Sequence, residues 1–266
     1  FNSGLDDRMI AQRKANIKRI LFLTGSDSKS WDDWHWQLQN IAKDEEQMSG
    51  YVPLSDQEKE NIRRVASAGI PFGVTPYYAS LFHEQSSLEE KAIRAQVIFP
   101  ESYITSYQSG ENEESIKDFM LETDTSPIDL ITRRYPEIVI FKPYNSCPQI
   151  CVYCQRNWEI KGPLEKGALA EEAQIDQAIE WIDRHEAITE VLMTGGDPLV
   201  MSDSRIERLL RALSRIEHVT RVRIGTRTPV TLPMRFTDTL CDMLASFRMP
   251  GKREMALVTH IQHPLE

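Results

Sequence analysis

The stretch EIVIFKPYNSCPQICVYC, residues 137–154, decides how the rest of the chain is read. Its first seven residues combine β-branched and aromatic side chains and close on a proline, which predicts a short strand over 137–143. Directly behind that strand, Cys147, Cys151 and Cys154 form the pattern C-x3-C-x2-C. Three of the four cysteines therefore fall within eight residues, a crowding that suits a metal site, while four in all are too few for a disulfide scaffold. Cys241 stands apart, beside Leu240, Met243 and Leu244, and reads as a small buried residue of a helix.

On the C-terminal side the same kind of run recurs at regular distance. EVLMT (190–194), RVRIG (221–225) and MALVTH (255–260) are apolar and short. Between them lie amphipathic segments. One, over 169–185, sets Ile175, Ala178, Ile179 and Ile182 on one side; a second begins near Ser202 with Ile206, Leu209, Leu210, Leu213 and Ile216 at helical spacing; a third runs from about Thr237 to Ala245. Strands alternating with helices predict an α/β fold with a parallel sheet covered by helices, of which four βα units are visible. Periodicity leaves an open doubly wound sheet and a barrel equally possible. In both, ligands bind at the carboxyl ends of the strands, which is where the three cysteines fall.

On the N-terminal side the rhythm is helical and the composition acidic and aromatic. WDDWHWQLQN (31–40) carries Trp31, Trp34 and Trp36, read as packing anchors, with Trp34, Gln37 and Leu38 sharing a face. Ser55 and Glu58 offer a capping box for a helix through Val65, and PFGVTPYYASLF (71–82) reads as a loop entering a buried segment. The chain accordingly divides into a helical accessory region, 1–130, and an α/β core, 131–266.

Over the 266 residues the formal charge is −9, with Lys and Arg scattered, so nucleic acid is not an expected partner. No apolar run approaches the roughly 20 residues that span a bilayer, and no signal pattern opens the chain. No membrane association and a cytoplasmic location are therefore expected. The chain does not open on methionine and is read as part of a longer protein.

Three thiolates can hold three irons of a cubane cluster and leave the fourth open for an exogenous ligand, whereas electron-transfer ferredoxins supply four. A zinc site would need a further Cys or His, for which His260 and His263 are candidates. At the end of the next strand, Thr194, Gly195, Gly196, Asp197, Pro198 and Leu199 spell TGGDPL. Two glycines there would let a ligand approach strand-edge backbone, and an aspartate could meet a cationic amino group.

Taken together, these motifs resemble radical S-adenosylmethionine (SAM) enzymes, and specifically the lysine 2,3-aminomutase family with its glutamate-acting and protein-lysine-acting relatives. WDDWHWQLQN, YVPLSDQEKENI, GVTPYYASL, RRYPEIVIF, TGGDPLVMSD, RVRIGTRTPVTLPMRFTD and THIQHP match that family in the same order, over roughly residues 30–266. The resemblance implies a partial TIM-like (βα)6 radical SAM barrel from about residue 131, preceded by the helical region, which would mediate homo-oligomer contacts. It implies a 4Fe–4S cluster on Cys147, Cys151 and Cys154, and SAM held through its amino group by Thr194, Gly195, Gly196 and Asp197. Arg156 matches an arginine that grips the substrate carboxylate, and Arg134 one near the phosphate of pyridoxal 5′-phosphate (PLP). The implied activity is migration of an amino group between adjacent carbons of a small-molecule α-amino acid, through a 5′-deoxyadenosyl radical and PLP, fed by a reducing electron donor.

The sequence departs from the family at Val152 and Ile138, where arginines are usual. The alternatives that follow are a radical SAM reaction without PLP or on a protein side chain, and, from another class, a noncatalytic iron–sulfur or zinc protein. The family's PLP-bearing lysine and substrate-selecting acids fall beyond residue 266.

Overall fold

The computed structural model describes residues 3–83, 88–109, 118, 120–157 and 159–266. The N-terminal region is helical. It comprises α1 (Asp7–Leu23), α2 (Ser28–Trp31), α3 (Trp34–Gln39), α4 (Glu45–Tyr51), α5 (Asp56–Ser67), α6 (Pro76–Ser80), α7 (Leu88–Arg94) and α8 (Glu101–Ser109). Helix α5 starts where the capping box placed it: the Glu58 amide donates to Ser55 Oγ at 3.3 Å and Ser55 N–H to Glu58 Oε2 at 2.7 Å. Trp31 and Trp36 are buried, their rings 5.9 Å apart, and Gln37 is buried between them and α6, donating to the Trp31 carbonyl and accepting from the Tyr77 amide. Trp34 is only half-buried and lies under the guanidinium of Arg235.

The α/β part holds β1 (Ile131–Thr132), β2 (Ile138–Tyr144), α9 (Glu172–Asp183), β3 (Glu190–Gly195), α10 (Asp203–Ser214), β4 (Arg221–Gly225), α11 (Thr228–Thr231), α12 (Asp238–Ser246) and β5 (Glu254–Val258). The sheet order is β1-β2-β3-β4-β5, with β1 antiparallel to β2 and the other neighbours parallel. Every predicted strand of the series is present within a residue or two, and consecutive parallel neighbours joined by helices are what βα units yield. The mixed α/β architecture is that of a partial TIM-like barrel. Val139, Phe141, Val191, Met193, Val222 and Ile224 point to the helix-covered side, where they meet Ile175, Ile182, Ile206, Leu210 and Leu240.

Cys241 departs from expectation: it is exposed. Leu240 and Leu244, four apart, form the buried stripe of α12, and the next residue along is turned about 100° around the axis, away from the sheet.

Two features of the fold position the site. Strand β2 carries a bulge, since Phe141 pairs with Met193 but Tyr144 with Gly195, leaving one extra residue at Lys142–Pro143. Proline cannot donate to the ladder, and bulges re-aim neighbouring side chains. The second is a core that crosses from the helical region into the cysteine loop: Ile150 and Ile160 are buried among Phe72, Val97 and Phe99. The backbone is tied as well, with Ile150 N–H donating to the Gly73 carbonyl and Val152 N–H to that of Gln96, both at 2.9 Å. Thr75 Oγ1 adds a buried bond of 2.6 Å to the Thr231 carbonyl.

Candidate active site

The loop after β2 brings Cys147, Cys151 and Cys154 to the carboxyl ends of the parallel strands. There they line one cavity of about 410 Å³ together with Thr194, Gly195, Gly196 and Asp197, with Arg156 and Arg227 at its wall. The two motifs, forty residues apart in sequence, are thus neighbours in space. Burial pushes the Cys147 thiol well above its ordinary range, and pushes Cys154 up to about 11. Two N–H groups nevertheless point at sulfur: the Arg156 amide donates to Cys154 Sγ at 3.4 Å and Arg227 Nη1 to Cys151 Sγ at 3.3 Å. Such N–H donors suit sulfurs that carry negative charge, and a bound cation would offset the burial of that charge.

Among the described residues no three His, Cys, Asp or Glu side chains converge closely enough to hold one ion, although His260 lines the cavity. A cubane cluster takes one iron per thiolate and tolerates the wider spacing.

The glycine pair also makes a contact that the sequence did not announce. A Cβ on Gly196 would stand 2.1 Å from the Ser146 carbonyl oxygen, and one on Gly195, at φ +110°, would stand 2.9 Å from both the Tyr144 carbonyl and Asn145 Oδ1. The space freed by the missing side chains is filled by the protein's own loop leading into Cys147. Gly196 N–H donates to the Tyr144 carbonyl at 2.7 Å and Asp197 N–H to that of Ser146 at 2.9 Å, so the glycines let the cysteine loop lie flat on the end of β3.

Asp197 is also engaged internally. Its carboxylate accepts from Leu199 N–H at 3.1 Å, Thr226 Oγ1 at 2.7 Å and Arg227 N–H at 2.9 Å, joining the ends of β3 and β4. Its burial raises its pKa, while the hydrogen bonds pull the other way.

Arg156 is buried, and its guanidinium forms the bidentate fork expected for a substrate carboxylate. The fork holds Glu122 instead, with Nε to Oε2 at 3.0 Å and Nη2 to Oε1 at 2.7 Å. Arg134 is exposed and donates to the Met120 carbonyl, away from the cavity.

Arg227 was missed by the sequence reading. Besides Cys151 it reaches Gln96 and Glu266 and lies 5.5 Å from the ring centres of Tyr78 and Tyr153. Its only signal was its place just past β4, in the GTRTP run, since an arginine in an acidic chain attracts no notice.

Residues 141–256 match the model of the radical SAM superfamily. The chain thus carries a radical SAM domain, and it is similar along most of its length to proteins named for the KamA and 2,3-aminomutase families. It is 41% identical, over 98% of its length, to a KamA family protein of Methanocaldococcus jannaschii, of which it covers 43%. It is 34% identical over its whole length to the glutamate 2,3-aminomutase of Clostridioides difficile, covering 58% of that protein, and 32% identical over 94% of its length to the L-lysine 2,3-aminomutase of Clostridium subterminale, covering 56%. The chain spans about half the length of the curated relatives it matches.

Proposed function

We propose that this chain is the cluster- and SAM-binding part of an enzyme that moves an amino group between adjacent carbons of a free amino acid. The observation that carries the reading is the convergence of three thiols and the Thr194–Asp197 segment in one cavity at the strand ends. The 2,3-aminomutase relatives support an amino acid as substrate.

When bound, a 4Fe–4S cluster with SAM supplies a carbon-centred radical that removes hydrogen from an unactivated C–H bond, given a one-electron donor. The chain's own residues do the positioning. Cys147, Cys151 and Cys154 would each hold an iron, and the N–H donors of Arg156 and Arg227 stabilise charge on two of the sulfurs. Asp197 clamps the ends of β3 and β4, so the strand-edge groups of Thr194 to Gly196 that would meet SAM's amino group are held in place. Buried Ile160 gives the cavity an apolar wall that limits water. A substrate carboxylate that reaches Arg156 has to displace Glu122, exchanging one carboxylate for another at the same fork.

Two positions weigh on PLP binding: Arg134 is exposed, and half-buried Ile138 offers no charge to a phosphate. This favours a second reading, radical SAM chemistry on an amino acid without PLP.

Anaerobic reconstitution tests the first level. The chain should take up about four irons, and after reduction should release methionine and 5′-deoxyadenosine from SAM. Failure of both in a folded sample refutes the reading. Borohydride reduction of the whole protein with PLP separates the two chemistries, because only an imine-forming lysine retains the pyridoxyl label.

A further inference from the structure

A second cavity, of about 590 Å³, lies behind the cysteine cavity and is lined by Lys142, Asn145, Glu159, Asp129 and Thr123 among others. The two share a wall. Gly195 lines the first, while Asn145 Oδ1 and the Lys142 Cβ lie 2.9 and 3.2 Å from where its own Cβ would stand; Ile160 faces the first and Glu159 the second.

The polar groups of this second cavity are unevenly satisfied. Lys142, carried on the β2 bulge, donates to Glu159 Oε1 at 2.6 Å, and both side chains are almost wholly buried. Thr123 Oγ1 donates to Asp118 at 2.8 Å, and the Ser126 hydroxyl is bonded to Thr132 and the Glu122 carbonyl. Two buried atoms have no partner among the described residues, Glu159 Oε2 and Asn145 Oδ1. Both are acceptors. An unmet buried acceptor is costly, so the cavity calls for a guest that donates several hydrogen bonds. Lys142 and Glu159 cancel each other's charge, and the Asp129 carboxylate at the rim leaves a negative balance, which selects a cation over a neutral donor.

We propose that this cavity binds a small primary alkylammonium group, with Glu159 Oε2 and Asn145 Oδ1 as its acceptors and Lys142 holding Glu159 in position. An –NH3+ head has three donors, enough to satisfy both orphaned atoms, and the volume leaves room for a short carbon chain. The site needs neither cluster nor SAM and so stands apart from the proposed reaction.

The test is calorimetric titration of the whole chain, at pH 7 and low salt, with n-butylammonium chloride and with n-butanol as its neutral counterpart. The ammonium should bind at least about ten-fold more tightly than the alcohol, and Glu159→Gln should remove most of that preference. Because Glu159→Gln also deprives Lys142 of its counter-ion, Asn145→Leu, which leaves the ion pair intact, carries the same test and should weaken binding several-fold. Glu180→Gln, on the exposed side of α9, should leave binding unchanged. The proposal is overturned if wild-type protein binds butylammonium no better than butanol, in which case solvent fills the cavity, or if folded Asn145→Leu and Glu159→Gln both keep wild-type affinity.

Discussion

Replacing Gly196 by alanine should unfold the cysteine loop before it affects any ligand. The added Cβ would stand 2.1, 2.4 and 2.6 Å from the carbonyl oxygen, nitrogen and carbonyl carbon of Ser146. All three are backbone atoms, so no side-chain rotation relieves the clash, and Ser146 has to retreat by about 1 Å to reach ordinary contact. That retreat breaks the 2.9 Å bond from Asp197 N–H to the Ser146 carbonyl and strains the 2.7 Å bond from Gly196 N–H to Tyr144. Overpacking costs about 1–3 kcal/mol and each lost bond about 1 kcal/mol, so the variant should be destabilised by about 3–5 kcal/mol. Against a total stability of about 5–15 kcal/mol, the shift should be plain in urea unfolding of the metal-free chain. Because Cys147 follows Ser146 directly, iron uptake on reconstitution should fall with it. If Gly196 instead served only to admit SAM, the metal-free Gly196→Ala chain would unfold within about 0.5 kcal/mol of wild type and lose only SAM affinity. That result would refute the role assigned to the loop contact.

Other outcomes follow from the same contacts. Alanine at Cys147, Cys151 or Cys154 should abolish the charge-transfer absorbance of the reconstituted chain, whereas Cys241→Ala, at an exposed position, should leave it unchanged. Breaking the buried Arg156–Glu122 pair from either side should cost about 3–5 kcal/mol in urea unfolding, and a double-mutant cycle should show strong coupling; near-additive effects would mean the fork is not held internally. Arg227→Gln should keep iron content but shift the cluster's reduction potential to more negative values, since a charged donor to sulfur favours the reduced cluster; an unchanged potential counts against the Cys151 contact. Burial pushes the Tyr51 hydroxyl up to about 12 while it donates to the Asn40 carbonyl at 2.8 Å. The unfolded chain therefore ionises first, near pH 10, and stability from this group is lost as pH rises from about 10 to 12. Tyr51→Phe should lose less stability than wild type over that window, and parallel pH curves would contradict this.

Local sequence determined the elements and the candidate metal-binding residues. Short apolar runs located the strands and helical spacing the helices, because burial of a parallel strand on both faces and of a helix on one leaves those patterns wherever the chain lies. The clustering of Cys147, Cys151 and Cys154 was likewise legible, since all three belong to one loop. What depends on atoms far apart in the chain was decided only by the tertiary structure. Which carboxylate fills the Arg156 fork depends on Glu122, thirty-four residues away, arriving at the same wall. The role of Gly196 depends on the approach of Ser146 from the loop after β2, and that of Arg227 on Gln96 and Cys151 meeting beside it. A residue type announces what it can bind, but a buried arginine or a crowded glycine is satisfied by whichever group the fold brings within about 3 Å, and sequence spacing carries no record of that distance.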